Sequence, residues 1–397
     1  MGKCTTIILF VFLTLNCSAQ NLYSRQNTYY FSKNALLDLA QDSNYEATAW
    51  SLSFIGDYKN ALLIWDKGEL KPPAYTSMDS LKHFHYFSQF KPLNAHDYII
   101  ERAKNEQVII INEGHHQPYH RVFTESLLHD LYKQGYRYFG AETLGYEDYF
   151  LNLRKYPSMA SGYYTIQPQY GNLIRTALKE GFYAFSYEDT SRIRSPKLRE
   201  INQAKNIKAI LDTNPHAKII IHCGFDHLSE GQLSSTWEKA MAGRLKEYTG
   251  IDPFTIDQIK WTEHSDAEHE NLFFKNINLN YNAVFIDSAG NMFNGSPHND
   301  RCDIRVYHPR TKWINGRPNW VFENEKYSFF INNKIKVSFP CLVFAYYAEE
   351  NCNFAVATDI IELKSKNDKV ALSLKKGAYN IIIKDSKGNT QQIHIKK

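Results

Sequence analysis

Between about residues 96 and 270, short runs of apolar residues alternate with longer amphipathic segments. The apolar runs of strand length are QVIIIN, YRYFGAE, FYAFSYED, KIIIHC and PFTIDQI. The helical segments between them are PYHRVFTESLLHDLYKQG, GNLIRTALKEG, REINQAKNIKAILDTN and TWEKAMAGRLKEYTG. Continuous apolar strands alternating with amphipathic helices predict an α/β fold with a mostly parallel sheet covered by helices. We assign this domain to residues 96–274.

The segment before this domain, residues 20–95, has a helical pattern. In AWSLSFIGDYKNALLIWD an apolar stripe is interrupted at Gly56-Asp57 and then resumes, which predicts two helices and a turn. The joint resembles one tetratricopeptide hairpin, but a helical cap packed on the next domain is the favoured interpretation, because repeats need neighbours to bury their faces. The shorter stretch NALLDLAQ predicts a further, less regular helix.

From about residue 275 the pattern changes to strands alone. Alternating polar and apolar residues separated by Gly, Asn and Pro turns predict an antiparallel β-sandwich over residues 275–397. Within it, NIIIKD-SKGN-TQQIHIK is a hairpin signal. Because the pattern breaks here, we expect a chain ending near Asn276 to fold without the strand-rich part. The stretch from Tyr146 to Tyr170 fits neither period and predicts an insertion near the sheet edge.

The first nineteen residues predict an export signal. Lys3 precedes the apolar run TTIILFVFLTL, which is too short to span a membrane, and small residues follow at Cys17-Ser18-Ala19. We expect cleavage before Gln20 and a periplasmic or extracellular mature protein. The alternative is lipidation at Cys17, which would anchor the protein to a membrane.

Composition narrows the range of partners and cofactors. The 397 residues carry a formal net charge of +4, which is too small an imbalance to favour nucleic acid. Beyond the leader lie four cysteines without a CxxC pair, so a cysteine-based zinc site is disfavoured. One disulfide among Cys302, Cys341 and Cys352 is plausible, and the sequence leaves both its pairing and the oligomeric state open.

Chemistry-bearing side chains follow four of the predicted strands. Parallel sheets bind ligands beyond the carboxyl ends of their strands, so these side chains are expected at one edge. They are Glu113, His115, His116, Glu142, Glu188, Asp189, His222 and His227. Converging carboxylate and imidazole groups either hold a divalent metal or divide the roles of acid and base.

The two adjacent histidines, His115 and His116, are not expected to have the same role. Because His115 and His116 are neighbours, at most one of them is expected to face the site. His116 and His120 have the spacing of a helical metal pair, but Pro118 starts the helix between them and disfavours that pairing.

Among the other histidines, His227 is the better site candidate. His222 lies inside a strand, where a histidine is more often a satisfied core residue than a ligand. His264 and His269 lie in the charged segment WTEHSDAEHEN and are expected to be solvated.

The carboxylates also have structural alternatives. Glu113 could cap the helix that begins near Pro118, where a negative charge favours the helix dipole. Glu142 and Asp189 could form ion pairs with Arg121 or Arg192.

The order of these elements resembles the superfamily that joins erythromycin esterase-like proteins, ChaN-type haem-binding lipoproteins and the Tiki and TraB metalloproteases. Glu113-Gly114-His115-His116 matches its Glu-x-x-His element, and Glu142 matches the Glu that closes the second strand. Asp189 with Glu188 matches the later acidic residue, and Gly224-Phe225-Asp226-His227 matches the final Gly-x-x-His element. Asn112 replaces the Gly usual before the first Glu, and Arg121 and Arg175 are the candidates for an esterase arginine.

The resemblance covers under half of the chain and leads to three functional hypotheses. The first is a hydrolase in which His116, or a metal, activates water to attack an ester or amide of a small-molecule or peptide substrate. Its catalytic residues would be Glu113, His116 and His227, and its metal ligands Glu113, His116, Glu142, Asp189 and His227. Further binding residues would be His115, Glu188, Arg121, His222, Tyr163 and Tyr164. The second hypothesis is a protein that binds haem or another planar ligand, and the third is a non-catalytic surface scaffold.

Overall fold

The computed structural model describes residues 37, 44–70, 77–191, 193–234, 236–295 and 301–396. The predicted leader, the lipidation alternative at Cys17, most of NALLDLAQ and Arg192 lie outside these residues. The helices are α1 Tyr45–Phe54, α2 Tyr58–Gly68, α3 Ser77–Phe87, α4 Ala95–Ala103, α5 Tyr119–Lys133, α6 Leu151–Arg154, α7 Pro168–Glu180, α8 Pro196–Thr213, α9 Met241–Thr249 and α10 Leu272–Asn276.

The strands fall into one large sheet and several smaller antiparallel ones. Those of the large sheet are β1 Lys91–Asn94, β2 Val108–Glu113, β3 Tyr136–Ala141, β4 Tyr183–Phe185, β5 Lys218–Gly224, β6 Phe254–Trp261, β7 Ala283–Ile286 and β8 Ile304–Tyr307. The others are β9 Trp313–Ile314, β10 Arg317–Pro318, β11 Tyr327–Phe329, β12 Cys341–Tyr347, β13 Asp359–Leu363, β14 Leu372–Leu374, β15 Ala378–Asp385 and β16 Thr390–Lys396.

The large sheet has the order β1-β7-β8-β6-β2-β5-β3-β4 and confirms the predicted α/β fold class. Strands β2 to β6 and β8 pair in parallel, whereas β7 pairs antiparallel with both β1 and β8. The five predicted strands correspond to β2 to β6. Every residue of β2 is buried, because helices cover both faces of the sheet centre.

The expected domain boundary at residue 275 cuts through this sheet. The runs NAVFIDS and DIRVYHP, which we expected in the sandwich, form β7 and β8 of the large sheet. The correction has a packing reason: Trp261 at the end of β6 is fully buried against Phe285 and Phe293. Strand β7 is a short antiparallel strand near the edge of the sheet. Antiparallel pairing needs no long helical crossover, so no helix in the sequence marks β7 as part of this sheet.

The N-terminal helices pack on the C-terminal part of the chain, whereas the cap interpretation expected them on the next domain. Helices α1 and α2 form a hairpin that buries Leu52 and Ile64 against Phe344 and Ile360. Gly56 at the joint has a φ of +78°, and a Cβ there would lie 2.2 Å from the Ile360 carbonyl oxygen. The glycine is therefore required both by the turn and by the close approach of the sheet.

The C-terminal part contains a four-stranded antiparallel sheet of order β13-β12-β15-β16 and two short ribbons. The predicted hairpin is confirmed as β15 and β16. Among the described residues all four cysteines are free, so the disulfide considered from the sequence does not form. Cys302, Cys341 and Cys352 contact three different hydrophobic clusters, which keeps their sulfurs apart.

Buried ion pairs join the C-terminal part to the α/β part. The guanidinium of Arg175 on α7 binds both carboxylate oxygens of Glu350, each at 2.6 Å. Lys375 lies 3.3 Å from the buried carboxylate of Glu125 on α5. No helix within the described ranges is long and apolar enough to cross a bilayer.

The structure reverses the expectation for a chain ending at Asn276. Such a chain loses β7 and β8, exposes Trp261 and leaves Arg175 without Glu350, and breaking a buried pair typically costs about 3–5 kcal/mol. We expect it to aggregate or to unfold without cooperativity in circular dichroism and size-exclusion experiments. Cooperative unfolding near the full chain's midpoint would show that the boundary expected from the sequence is correct.

Candidate functional site

Three neighbouring strands bring the central polar residues together. Strand β2 ends at Glu113, whose register partner on β5 is Gly224. His222 on β5 lies between Ile111 of β2 and Ala141 of β3. Glu142 directly follows β3, and its amide donates to the carbonyl of His222 at 2.9 Å. The carboxyl ends of these parallel strands therefore place two carboxylates and an imidazole at one edge.

The Glu113 carboxylate is clamped by Arg121 of α5. Nε of Arg121 donates to Oε2 at 2.5 Å, Nη2 donates to Oε1 at 2.6 Å, and both side chains are almost fully buried. Burial alone would raise the pKa of Glu113, but the bidentate guanidinium lowers it well below its usual range. Glu113 is therefore a fixed anion, which corrects the helix-cap alternative.

Two imidazoles share the same carboxylate. Nδ1 of His115 lies 2.9 Å from Oε1 of Glu113, and Nε2 of His222 lies 2.8 Å from Oε2. Because an ionised carboxylate only accepts, each of these ring nitrogens carries the proton. The ring of His115 stacks on Tyr164 at 3.8 Å and meets the edge of Trp50 at 5.7 Å. His115 is thus held with its Nε2 free to accept a proton.

A second network surrounds Glu142. Nη2 of Arg199 on α8 donates to Oε1 of Glu142 at 2.8 Å and also binds Glu188 at 2.9 Å. Nδ1 of His227 lies 2.8 Å from Glu200, and its Nε2 lies 3.7 Å from Oε1 of Glu142. Burial alone would raise the pKa of Glu142, but His227, His115 and Arg199 lower it to about 2. The carboxylates of Glu142 and Glu200 likewise raise the pKa of His227 despite its burial.

Gly224 allows side chains of the two networks to approach its backbone closely. Its φ of −89° is accessible to any residue, so the backbone does not require glycine. A Cβ would lie 2.6 Å from Nε2 of His115 and 2.8 Å from Oε2 of Glu142. Two acceptor atoms of separate networks therefore lie beside the bare Cα of Gly224 at the carboxyl edge, and the position between them is here called the gap.

The structure does not bring all of the predicted site residues together. Of the adjacent histidines, His115 faces this gap, whereas His116 turns away and stacks on Trp65 at 3.9 Å. Asp189 accepts hydrogen bonds from Ser191 and Asn202 instead of entering the site.

The remaining predicted residues lie in or beside the two networks. Glu188 binds Arg199, and Tyr164 stacks on His115. Tyr163 lies further out against Trp50. His222, considered a core histidine in the sequence, binds Glu113 directly.

The metal set of Glu113, His116, Glu142, Asp189 and His227 does not fit a metal ion as arranged. Both oxygens of Glu113 are bound by Arg121, and His116 and Asp189 face elsewhere. No group of three or more candidate ligands converges within the part of the chain that the structure describes. Divalent metal and haem stay predictions that metal analysis and an absorbance scan of purified protein test.

Several site residues were missed in the sequence. Arg199 and Glu200 lie in the first turns of α8, which begins at the capping residue Ser195 and runs from the same edge of the sheet. The helix that follows β4 was a usable signal, because its N-terminus must start near the carboxyl end of that strand. Trp50 and Trp65 come from the distant N-terminal hairpin, and no local pattern marks them.

Chemically, the arrangement offers an oriented base and fixed positive charge. His115 can accept a proton at Nε2, while Arg199 supplies positive charge across the gap, where its Nη1 lies 2.8 Å from Nε2 of His227. The thiol of Cys223 has a pKa raised well above its usual value by burial, so it is not a ready thiolate nucleophile. The site therefore suits general acid–base chemistry on a neutral substrate group.

Comparisons with protein-family models and with curated proteins give no match. Among solved structures, the type III effector HopBA1 is similar at 12% identity over 45% of this chain and 93% of that chain, with a TM-score of 0.30. RRSP, a MARTX toxin effector domain from Vibrio vulnificus, is similar at 13% identity over 59% of this chain and 49% of that chain, with a TM-score of 0.29.

A third structure is the C-terminal region of Pasteurella multocida toxin, described as having a thiol-protease-like catalytic triad. It is 9% identical over 84% of this chain and 51% of that chain, with a TM-score of 0.30. This chain thus spans about half the length of the two toxin structures. Similarities this weak support no conclusion about activity.

The raised pKa of His227 makes stability depend on pH in a defined direction. Its contribution to the free energy of unfolding is fully present below the unfolded pKa of about 6.5 and is lost as pH rises through the folded pKa. We expect the stability difference between wild type and His227→Gln to shrink as pH rises above about 6.5, as measured by denaturant unfolding. His129→Gln, at an exposed histidine on α5, is the control. A difference that stays constant over this range would show that His227 is not held in its protonated form.

Proposed function

We propose that this chain is a hydrolase that cleaves an ester or amide bond with a water molecule activated by His115. The observation that carries the proposal is the approach of two acceptors, Nε2 of His115 and Oε2 of Glu142, to the bare Cα of Gly224 from separate networks. Both atoms accept hydrogen bonds, so a water molecule in the gap would donate to both and direct a lone pair outward. That is the orientation required for attack on a carbonyl carbon.

The charges of the site support each step of this reaction. His115 removes a proton from the attacking water, and Glu113 stabilises the resulting imidazolium, as Arg121 keeps it anionic. The carbonyl oxygen gains the negative charge, which the guanidinium of Arg199 is positioned to stabilise. When the tetrahedral intermediate collapses, the proton held by His115 passes to the leaving oxygen or nitrogen. The products are a carboxylic acid and an alcohol or amine.

The proposal changes the role expected for His116. The Glu-x-x-His element resembles that of the erythromycin esterase-like superfamily, which supports a hydrolase, but His115 occupies the position beside Glu113 and Gly224. Arg199, which is one-third exposed, gives the site its contact with solvent. Substrate would therefore enter from the side of α8.

Substitutions of His115 and Glu142 test the proposal. On a panel of chromogenic esters and aryl amides, we expect His115→Ala and Glu142→Gln each to lower kcat by a factor of about 10²–10⁴, the usual range for a positioned base. The double variant should lose little more than the stronger single variant, because groups that act as a unit fail together.

Glu350→Gln is the matched control, since it also weakens a buried carboxylate–arginine pair but lies away from the gap. It should lower the melting temperature and leave turnover per folded molecule intact. If turnover in the His115 and Glu142 variants stays near wild type, the proposed base and its partner are wrong.

Gly224→Ala tests the gap itself. The added methyl group would collide with the ring of His115 and the carboxylate of Glu142 and displace both acceptors. We therefore expect turnover to fall by at least a factor of about 10² in the folded fraction, as with loss of a base. Gly140→Ala is the matched control in the same sheet, because its Cβ would meet Ile221 and Phe185 at 2.7 Å in the core. It should lose stability without a comparable loss of turnover per folded molecule, as measured by activity against folded fraction. Equal losses in both variants would mean that Gly224 serves packing alone.

A further inference from the structure

A second site lies on the other side of β2, at the carboxyl ends of β2, β6 and β8. It is a cavity of about 230 Å³, here called the His116 cavity. Its walls include His116 after β2, His264 after β6 and His308 after β8, with Leu62 of α2 and Trp320 closing it. His264, which the sequence indicated as solvated, is half-buried and pairs with Asp66 at 2.7 Å.

His116 is the unusual member of this cavity. It is 4% exposed, and neither ring nitrogen has a hydrogen-bond partner among the residues that the structure describes. By contrast, both ring nitrogens of His308 are bonded, to Asn282 at 2.8 Å and to Gln258 at 3.1 Å. A buried polar group without a partner is costly. The stacking of His116 on Trp65 within 7° of parallel holds this ring in place.

The electrostatics of the cavity favour a neutral ligand. Burial lowers the pKa of His116 well below its usual value, so the ring is neutral and offers one donor and one acceptor. Burial also raises the pKa of Glu263 in the same wall, which disfavours a ligand carboxylate beside it. The two ring nitrogens point in diverging directions, so one ligand group reaches one of them. A planar amide suits either tautomer, because its N–H can donate to a bare ring nitrogen and its C=O can accept from a protonated one.

We propose that the His116 cavity binds a planar, neutral ring that carries an amide-like donor–acceptor pair, and that it recognises the substrate of the hydrolase. The second half of this statement rests on the function proposed above. Size agrees with a single ring, because an apolar cavity of about 150 Å³ holds benzene. His115 and His116 are consecutive, so the residue that holds the ring would adjoin the residue that activates water.

The rings of Trp65 and Phe225 lie between the two sites. Trp65 stacks on His116 and also lies parallel to Phe225 at 5.5 Å, and Phe225 meets the edge of His115 at 5.0 Å. These apolar surfaces suit the part of a substrate that joins its ring to its carbonyl group. The substrate class is therefore an ester or amide with a lactam- or amide-bearing ring on one side of the scissile bond.

Binding of 2-pyridone, a planar ring that has adjacent N–H and C=O groups and no scissile ester, tests the cavity directly. Titration of the full chain by calorimetry should show saturable binding, and His116→Phe should weaken it at least tenfold. Because phenylalanine keeps the stacking on Trp65 and removes the unpaired nitrogens, its melting temperature should be equal or higher. Leu63→Trp, at the exposed rim of the cavity, should also weaken binding, and His129→Phe should not.

Toluene and benzoate are the comparison probes. If either binds as tightly as 2-pyridone, or if His116→Phe leaves 2-pyridone affinity unchanged, the proposed recognition is wrong. A lower melting temperature of His116→Phe would assign His116 to the core and overturn the proposal as well.

The two proposals fail in distinguishable ways. If 2-pyridone binds at His116 but no ester or amide is cleaved, the hydrolase proposal fails and the binding site stands. If cleavage depends on His115 but His116→Phe does not change the KM ratio of ring-bearing to alkyl esters, the hydrolase stands and the recognition role fails.

Discussion

The buried ion pair of Glu113 and Arg121 is the interaction on which the rest of the site depends. Arg121 binds the carboxylate through Nε and Nη2 and donates through Nη1 to Oε1 of Gln167 at 2.9 Å. Its guanidinium also lies 4.7 Å from the ring centroid of Tyr170. Gln167 caps α7, and the Tyr170 hydroxyl donates to the carbonyl of Glu142 at 2.9 Å. One pair therefore fixes the charge of Glu113 and links it, through α7, to the second network. A buried carboxylate without this arginine would be costly to ionise and could not orient two imidazoles.

The sequence predicted the carboxyl edge of the large sheet because local patterns of apolar residues determine which segments form its parallel strands. Apolar runs with helices between them predict parallel strands, and parallel strands deliver the residues that follow them to the same edge. Glu113, Glu142 and His227 could be placed on that ground alone. Which of His115 and His116 faces the gap could not, because it depends on the register of β2 with β5 and on Trp65, which lies far away in the chain. The places of β7 and β8 in the large sheet were missed for the same reason: tertiary pairing, not a local period, determines them.

The central position of β2 explains why one short loop serves two sites. In the sheet order, β5 and β3 lie on one side of β2 and β6 and β8 on the other. His115 lies on the side of β5 and β3, and His116 lies on the side of β6 and β8. The N-terminal hairpin closes both, because Trp50 meets His115 and Trp65 meets His116. The edge is therefore built from the two ends of the chain as well as its middle, which agrees with the ion pairs that tie α5 and α7 to the C-terminal part.

Glu113 and His116 differ in how their buried polar atoms are bonded, and this difference separates structural from functional roles at the edge. Both side chains are buried and polar, yet Glu113 is bound by three side chains, whereas His116 has no hydrogen-bond partner within the described ranges. Other buried side chains within the described ranges leave one polar atom unpaired, whereas His116 leaves two, each at a cost of roughly 1–3 kcal/mol. At Gly224 the backbone would accept a side chain, but the ring of His115 and the carboxylate of Glu142 take its place. Paired charge therefore builds the framework of this edge, and the unpaired imidazole of His116 is the place where the proposed ligand would supply the missing hydrogen bond.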